Sequence, residues 1–121
     1  MNWFFTFLFL AVINVCIGQN TCFLFDKNIY LTEEPELWSK ISKNDTLLAA
    51  YEYAKDLKFS SFTYLSDSIT VSGFRIEPKQ KGKYPVIIFN RGGNREYGKL
   101  TMNMLFYSTS LLAKRGFIII A

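Results

Sequence analysis

The chain reads as an α/β protein: a helical lead-in, a β-hairpin, then a strand–helix–strand unit. Three observations predict this. Apolar residues recur every three to four positions up to Leu57 and every second position from Phe62, so the period passes from that of a helix face to that of a strand face. Two short runs, Pro85–Phe89 (PVIIF) and Phe117–Ile120 (FIII), are wholly apolar, as strands buried on both faces are. Between these runs lie a glycine-rich loop and an amphipathic stretch long enough for a helix.

The first eighteen residues stand apart from that fold. Residues 1–25 carry no charged side chain, and Met1–Gly18 (MNWFFTFLFLAVINVCIG) is apolar, with Thr6 the single break between Trp3 and Ile13. Its apolar run falls short of the about 20 residues that span a bilayer. Cys16 and Gly18 place small side chains at the third-last and last positions a signal peptidase reads, which would leave Gln19 as the new N-terminus. The expectation is a signal peptide over 1–18 and export to the periplasm or the extracellular space; without cleavage, the segment would anchor the chain in a membrane. Val15 is too bulky for a residue preceding a lipid-accepting cysteine. Cleavage leaves Cys22 as the single cysteine, with no base in the chain to activate it.

Residues 19–58 form the expected helical lead-in. Leu31–Ser42 has Pro35 and carboxylates early and Lys40 late, the polarity a helix dipole favours. Asn44 or Asp45 would cap a second helix, with Leu47, Leu48, Tyr51, Ala54 and Leu57 along one face. Neither helix carries a catalytic cluster, and both read as packing faces. Asn44-Asp45-Thr46 is a glycosylation sequon, relevant only in a eukaryotic host.

The remainder, 59–121, is the α/β part. Phe62 and Tyr64 alternate with polar neighbours, Ser66-Asp67-Ser68 signals a turn, and Ile69, Val71, Gly73 and Arg75 alternate again. This predicts antiparallel strands over 60–66 and 69–77, stopped by Pro78. PVIIF is the next strand. Thr101–Arg115 is the crossover helix, with Met104, Leu105, Tyr107, Leu111 and Leu112 as its apolar stripe and Gly116 as its left-handed stop. FIII would lie parallel to PVIIF in a right-handed βαβ unit. Two such strands in so small a sheet lack cover for both faces, so the sequence is expected to be the front part of a longer domain.

Composition excludes several functions. The chain has no histidine and two cysteines, so it cannot assemble a Ser-His-Asp or Cys-His pair, a His-containing zinc site or a four-thiolate site. No metal or other cofactor is expected. The net charge of +4 divides unevenly, with five lysines against eight carboxylates over 26–67 and nine basic residues against two carboxylates over 75–115. The basic residues lie in a Pro/Gly turn (Lys79, Lys81, Lys83) and a loop (Arg91, Arg95, Lys99) rather than on one stripe, which speaks against nucleic acid as a partner. A membrane is met only through the N-terminal signal segment.

The loop after PVIIF, Asn90–Lys99 (NRGGNREYGK), admits two readings. Gly93 to Lys99 spells G-x-x-x-x-G-K, yet Leu100 stands where a phosphate loop needs Ser or Thr for Mg²⁺, Thr101 is one position late, and Glu96 would set a carboxylate in the cradle. The other reading rests on backbone donors: a Gly-Gly pair past the carboxyl edge of a central strand presents N–H groups to the crevice where α/β proteins bind ligands, and such donors stabilise an acyl-transfer oxyanion.

With that loop in place, Phe62–Pro78 (FTYLSDSITVSGFRIEP), Tyr84–Gly98 (YPVIIFNRGGNREYG) and Leu111–Ala121 (LLAKRGFIIIA) together resemble the opening of a prolyl oligopeptidase-type serine hydrolase catalytic domain in the α/β-hydrolase superfamily. The resemblance implies that Gly92 and Gly93 match the family's Gly-Gly and contribute to an oxyanion hole. Arg91 falls where the family often carries Tyr or His, and Asn90 and Asn94 flank and orient the pair. It further implies a parent enzyme that cleaves a peptide or an ester through an acyl-enzyme. The nucleophile elbow G-x-S-x-G is absent from this chain. In this fold the order is Ser, then Asp or Glu, then His, so all three are expected beyond Ala121, and the chain alone is expected to be an inactive N-terminal fragment. Only two helices would stand where large family members have a β-propeller, which leaves peptidase and esterase both open. The competing expectation is a small secreted binding or interaction protein without catalysis.

Overall fold

The computed structural model describes residues 23–90, 92–93 and 98–121; the predicted signal segment and both cysteines lie outside them. The elements are β1 (Phe23–Ile29), a 3-10 turn (Leu31–Glu33), α1 (Pro35–Ile41), β2 (Ser42–Lys43), β3 (Thr46–Leu47), a longer 3-10 helix (Ala49–Asp56), β4 (Leu57–Ser66), β5 (Ile69–Pro78), β6 (Val86–Ile88), α2 (Met102–Lys114) and β7 (Ile118–Ile120). Five strands form one mixed sheet in the order β1-β4-β5-β7-β6. Every neighbouring pair is antiparallel except β6 and β7, which run parallel.

The hairpin and the strand–helix–strand unit match the sequence reading. Asp67 and Ser68 take φ of 48° and 67° and close the β4–β5 turn in two residues, where two positive φ values match strand twist. Thr101 caps α2 by accepting the Met104 N–H at 3.2 Å, and Gly116 ends it at φ 91°. Pro35 opens α1 at the position where its missing N–H costs nothing.

Four expectations are corrected. The lead-in is not wholly helical, because 23–29 is a strand paired with β4. Asn44 and Asp45 do not cap a helix; at φ 49° and 55° they turn the β2–β3 hairpin, since short amide and carboxylate side chains tolerate the left-handed region. The helix that follows is 3-10 over Ala49–Asp56. The buried stripe of α2 is Met102, Leu105, Phe106, Thr109, Ser110 and Ala113, about one residue round from the predicted one, so Met104, Tyr107 and Leu111 face outward. Two small hydroxyl residues hold buried positions because their oxygens are met: Thr109 donates to the Leu105 carbonyl at 2.8 Å and Ser110 shares a 2.8 Å hydrogen bond with the Tyr53 hydroxyl.

All the described helices pack on one face of the sheet. Leu37 and Ile41 of α1, Ala54, Leu57 and Phe59, Ile76, Ile119 and the inner side of α2 make one core. Phe106 is fully buried at its centre, with the rings of Tyr51, Tyr53 and Phe59 about it at 5.9, 6.4 and 6.0 Å. Strand alternation sends the other residues to the opposite face. There Arg75 bonds Asp26 at 2.6 Å and lies 3.3 Å from Glu77, which also meets Lys58 at 3.7 Å. Beside these charges that face is apolar and open: Val86 is 53% and Ile88 70% exposed, on a strand at the sheet's edge.

Candidate functional site

Because β6 and β7 run parallel with Ile88 opposite Ile120, both strands finish at one edge of the sheet. The Phe89 N–H donates to the Ile120 carbonyl at 2.7 Å, carrying the ladder one residue past β6. Asn90, Gly92 and Gly93 follow at that edge, all exposed. Gly93 has φ 101°, a conformation that L side chains resist. Gly98, at φ 71°, lies so close to the Gly92 carbonyl that a Cβ there would overlap it. The two ends of the 92–98 loop therefore touch, and only glycine allows the closure. A Cβ on Gly92 would meet nothing within 4 Å, so packing does not demand glycine at that position. What its absence of side chain provides is open backbone.

Of the residues singled out from sequence, Asn90, Gly92 and Gly93 are thus brought together at the carboxyl edge of a parallel strand. Arg91 and Asn94 lie outside the described residues, as does Glu96. The phosphate-loop reading loses further ground, since the Thr101 hydroxyl is engaged as the α2 cap and Leu100 packs against the core.

Next to Asn90, on the open face, is a crevice of about 360 Å³ lined by Phe62, Tyr64, Val71, Gly73, Arg75, Ile88 and Ile120 among others. Sequence reasoning placed the hairpin residues Tyr64 and Arg75 in strands without linking them to the site. Their even spacing with Phe62 and Gly73 was the available signal, but only the register that sets Phe62 opposite Gly73 and Arg75 opposite Ile120 brings them to one place. The floor is close-fitting: a Cβ at Gly73 would lie 2.5 Å from the Ala121 carbonyl oxygen and 2.6 Å from the Phe62 ring.

Chemically, the edge offers backbone donors, one carboxamide and an apolar wall. Arg75 is held by two carboxylates, Asp26 and Glu77. Among the described residues no group of three His, Cys, Asp or Glu could hold a metal ion. Among the described residues the one clear pKa departure is at Tyr107, raised above its ordinary value by partial desolvation first and then by the neighbouring Tyr51; it is on the outer face of α2, away from the crevice. Among the described residues no helix is long and apolar enough to cross a membrane. No protein-family model, no curated protein and no solved structure matches the chain.

Proposed function

We propose that the chain is the opening part of an exported α/β-hydrolase-type domain, similar to prolyl oligopeptidase-type serine hydrolases, and that it supplies part of the oxyanion hole. The observation that carries the reading is the exposed Gly92-Gly93 pair immediately past the carboxyl edge of a parallel strand, with Gly93 at φ 101°. Supporting it is the order of elements: a hairpin ending at Pro78, a strand, the Gly-Gly loop, a helix and a parallel neighbour strand, as in the family's opening.

In the proposed reaction a serine oxygen attacks the carbonyl carbon of a peptide or ester, and the carbonyl oxygen gains negative charge. Backbone N–H groups of the Gly92-Gly93 segment donate to that oxygen, and the Arg91 guanidinium and the Asn90 and Asn94 amides assist or orient them. Each donor of this kind is worth about 3 kcal/mol to the transition state. The chain has no histidine, so the nucleophile's base and the elbow serine belong to residues this chain does not carry. The open apolar face and the uncovered β6 edge are where such further structure would pack.

The test is the coding sequence downstream of codon 121, together with the activity of the purified chain. An open frame with G-x-S-x-G followed by Asp and His is expected, as is no hydrolysis of p-nitrophenyl esters by residues 1–121 alone. A native stop codon directly after Ala121, with a cooperative and monodisperse fold, would overturn the proposal in favour of a small exported binding protein. Ester hydrolysis by the chain alone would overturn the assignment of the nucleophile to another segment.

A further inference from the structure

A second hollow lies at the other end of the sheet. The ladder sets Leu57 opposite Pro78 and Arg75 opposite Ile120, so the start of β4 and the end of β5 are remote from the Gly92-Gly93 edge. Here β1 and its 3-10 turn, α1, the β2–β3 hairpin and the longer 3-10 helix enclose a groove of about 360 Å³, near the lower end of volumes that hold small molecules.

Its walls divide by chemistry. The floor is apolar, with Leu31, Trp38, Leu47, Leu57 and Phe59 among its residues, while the charged lining residues are three lysines, Lys55, Lys58 and Lys79, with no carboxylate. Two of the three already have partners, Lys55 with Glu52 at 2.7 Å and Lys58 with Glu77 at 3.7 Å. Lys79 has no carboxylate partner among the described residues; its ammonium donates to the Lys55 carbonyl at 2.6 Å, which holds it at the rim and leaves two donors. A groove with an apolar floor and an unneutralised cation at its mouth is complementary to one class of small molecule, an apolar body carrying a single negative charge.

We infer that this groove binds an amphipathic monocarboxylate, with its hydrocarbon part on Trp38 and Leu31 and its carboxylate on Lys79, and with Lys55 adding to the local positive potential. The site is independent of the hydrolase reading, since none of its lining residues belongs to the loop at the opposite edge.

Laurate, below its micellar concentration, is the probe, with 1-dodecanol as the neutral analogue of equal length. Trp38 is the only tryptophan among the described residues, and its emission is the readout, with W38F to identify its share of the signal. Saturable change with laurate is expected, with at least tenfold weaker response to dodecanol. Lys79→Gln is expected to weaken laurate about tenfold and leave dodecanol unchanged; K55Q is expected to give a smaller loss. Both lysines are exposed, so neither change threatens the fold. No saturable response, equal affinity for laurate and dodecanol, or laurate binding untouched by K79Q would each overturn the inference.

Discussion

Gly73→Ala gives the sharpest test of how the sheet is assembled. The added methyl would sit 2.5 Å from the Ala121 carbonyl oxygen and 2.6 Å from the Phe62 ring, against 3.4 Å for ordinary contact. The methyl meets the outer end of the ring, the part of a side chain that gives way most cheaply by turning about its own bonds. The carbonyl does not give way so cheaply, because Phe74 and Ala121 exchange hydrogen bonds of 2.8 and 2.9 Å at the junction of β5 with the end of β7. Moving the carbonyl by nearly an ångström loosens both bonds, at about 1 kcal/mol each. Replacing glycine within a strand returns roughly 0.5–1 kcal/mol, leaving a net loss of about 1–1.5 kcal/mol. For a domain of this size that is a fall of about 1 M in the urea midpoint, read by circular dichroism with unchanged slope. Adding Phe62→Leu separates the two obstacles: if the carbonyl is limiting, the double variant recovers little. G73A at wild-type stability, or full recovery by F62L, would refute the reasoning.

Three further perturbations follow from the same structure. The Ser60 hydroxyl is buried with no hydrogen-bond partner, so Ser60→Ala should raise stability by about 1 kcal/mol; thermal unfolding showing a loss of that size would mean the hydroxyl is satisfied. Val86 and Ile88 stand open beside a strand edge that is unpaired among the described residues, so the chain should self-associate in sedimentation velocity, and V86K/I88K, removing about 1–2 kcal/mol of available burial per side chain, should return it to monomer. The raised Tyr107 pKa means that folding favours the protonated phenol, so its contribution is intact below pH 10.0, the ordinary value, and is lost as pH rises through the folded value. Tyr107→Phe should flatten that alkaline decline in denaturation midpoints, and an identical decline in the variant would place its origin elsewhere.

What could be read from sequence was governed by local chemistry. Asp67-Ser68, Pro78 and Gly116 punctuate their segments through their own backbone preferences, and the hairpin and α2 emerged within a few residues of their observed ends. Asn44-Asp45 failed as a guide because the same short polar side chains serve a helix cap and a left-handed turn. The α2 stripe was misjudged because Thr109 and Ser110 look polar in sequence, whereas their oxygens find the Leu105 carbonyl and Tyr53 in the fold. β1 was missed since its strand character depends on pairing with β4, some thirty to forty residues away. At the candidate site, the Gly-Gly loop was legible as a motif. The crevice beside it was not, because it is made by strands whose adjacency no local pattern encodes.

The position of β7 between β5 and β6 has a consequence for a chain emerging from the ribosome. The β4–β5 hairpin can close as soon as it is made, but β6 is synthesised before β7, the strand it pairs with. Its neighbour arrives roughly thirty residues later, a wait of about 2–6 s at ordinary translation rates. During that interval Val86–Phe89 is an exposed apolar segment without a partner, and β7 must bind the hairpin and capture β6 in a single closing event. Synthesis from one end thus defers the joining of these five strands until β7 is out.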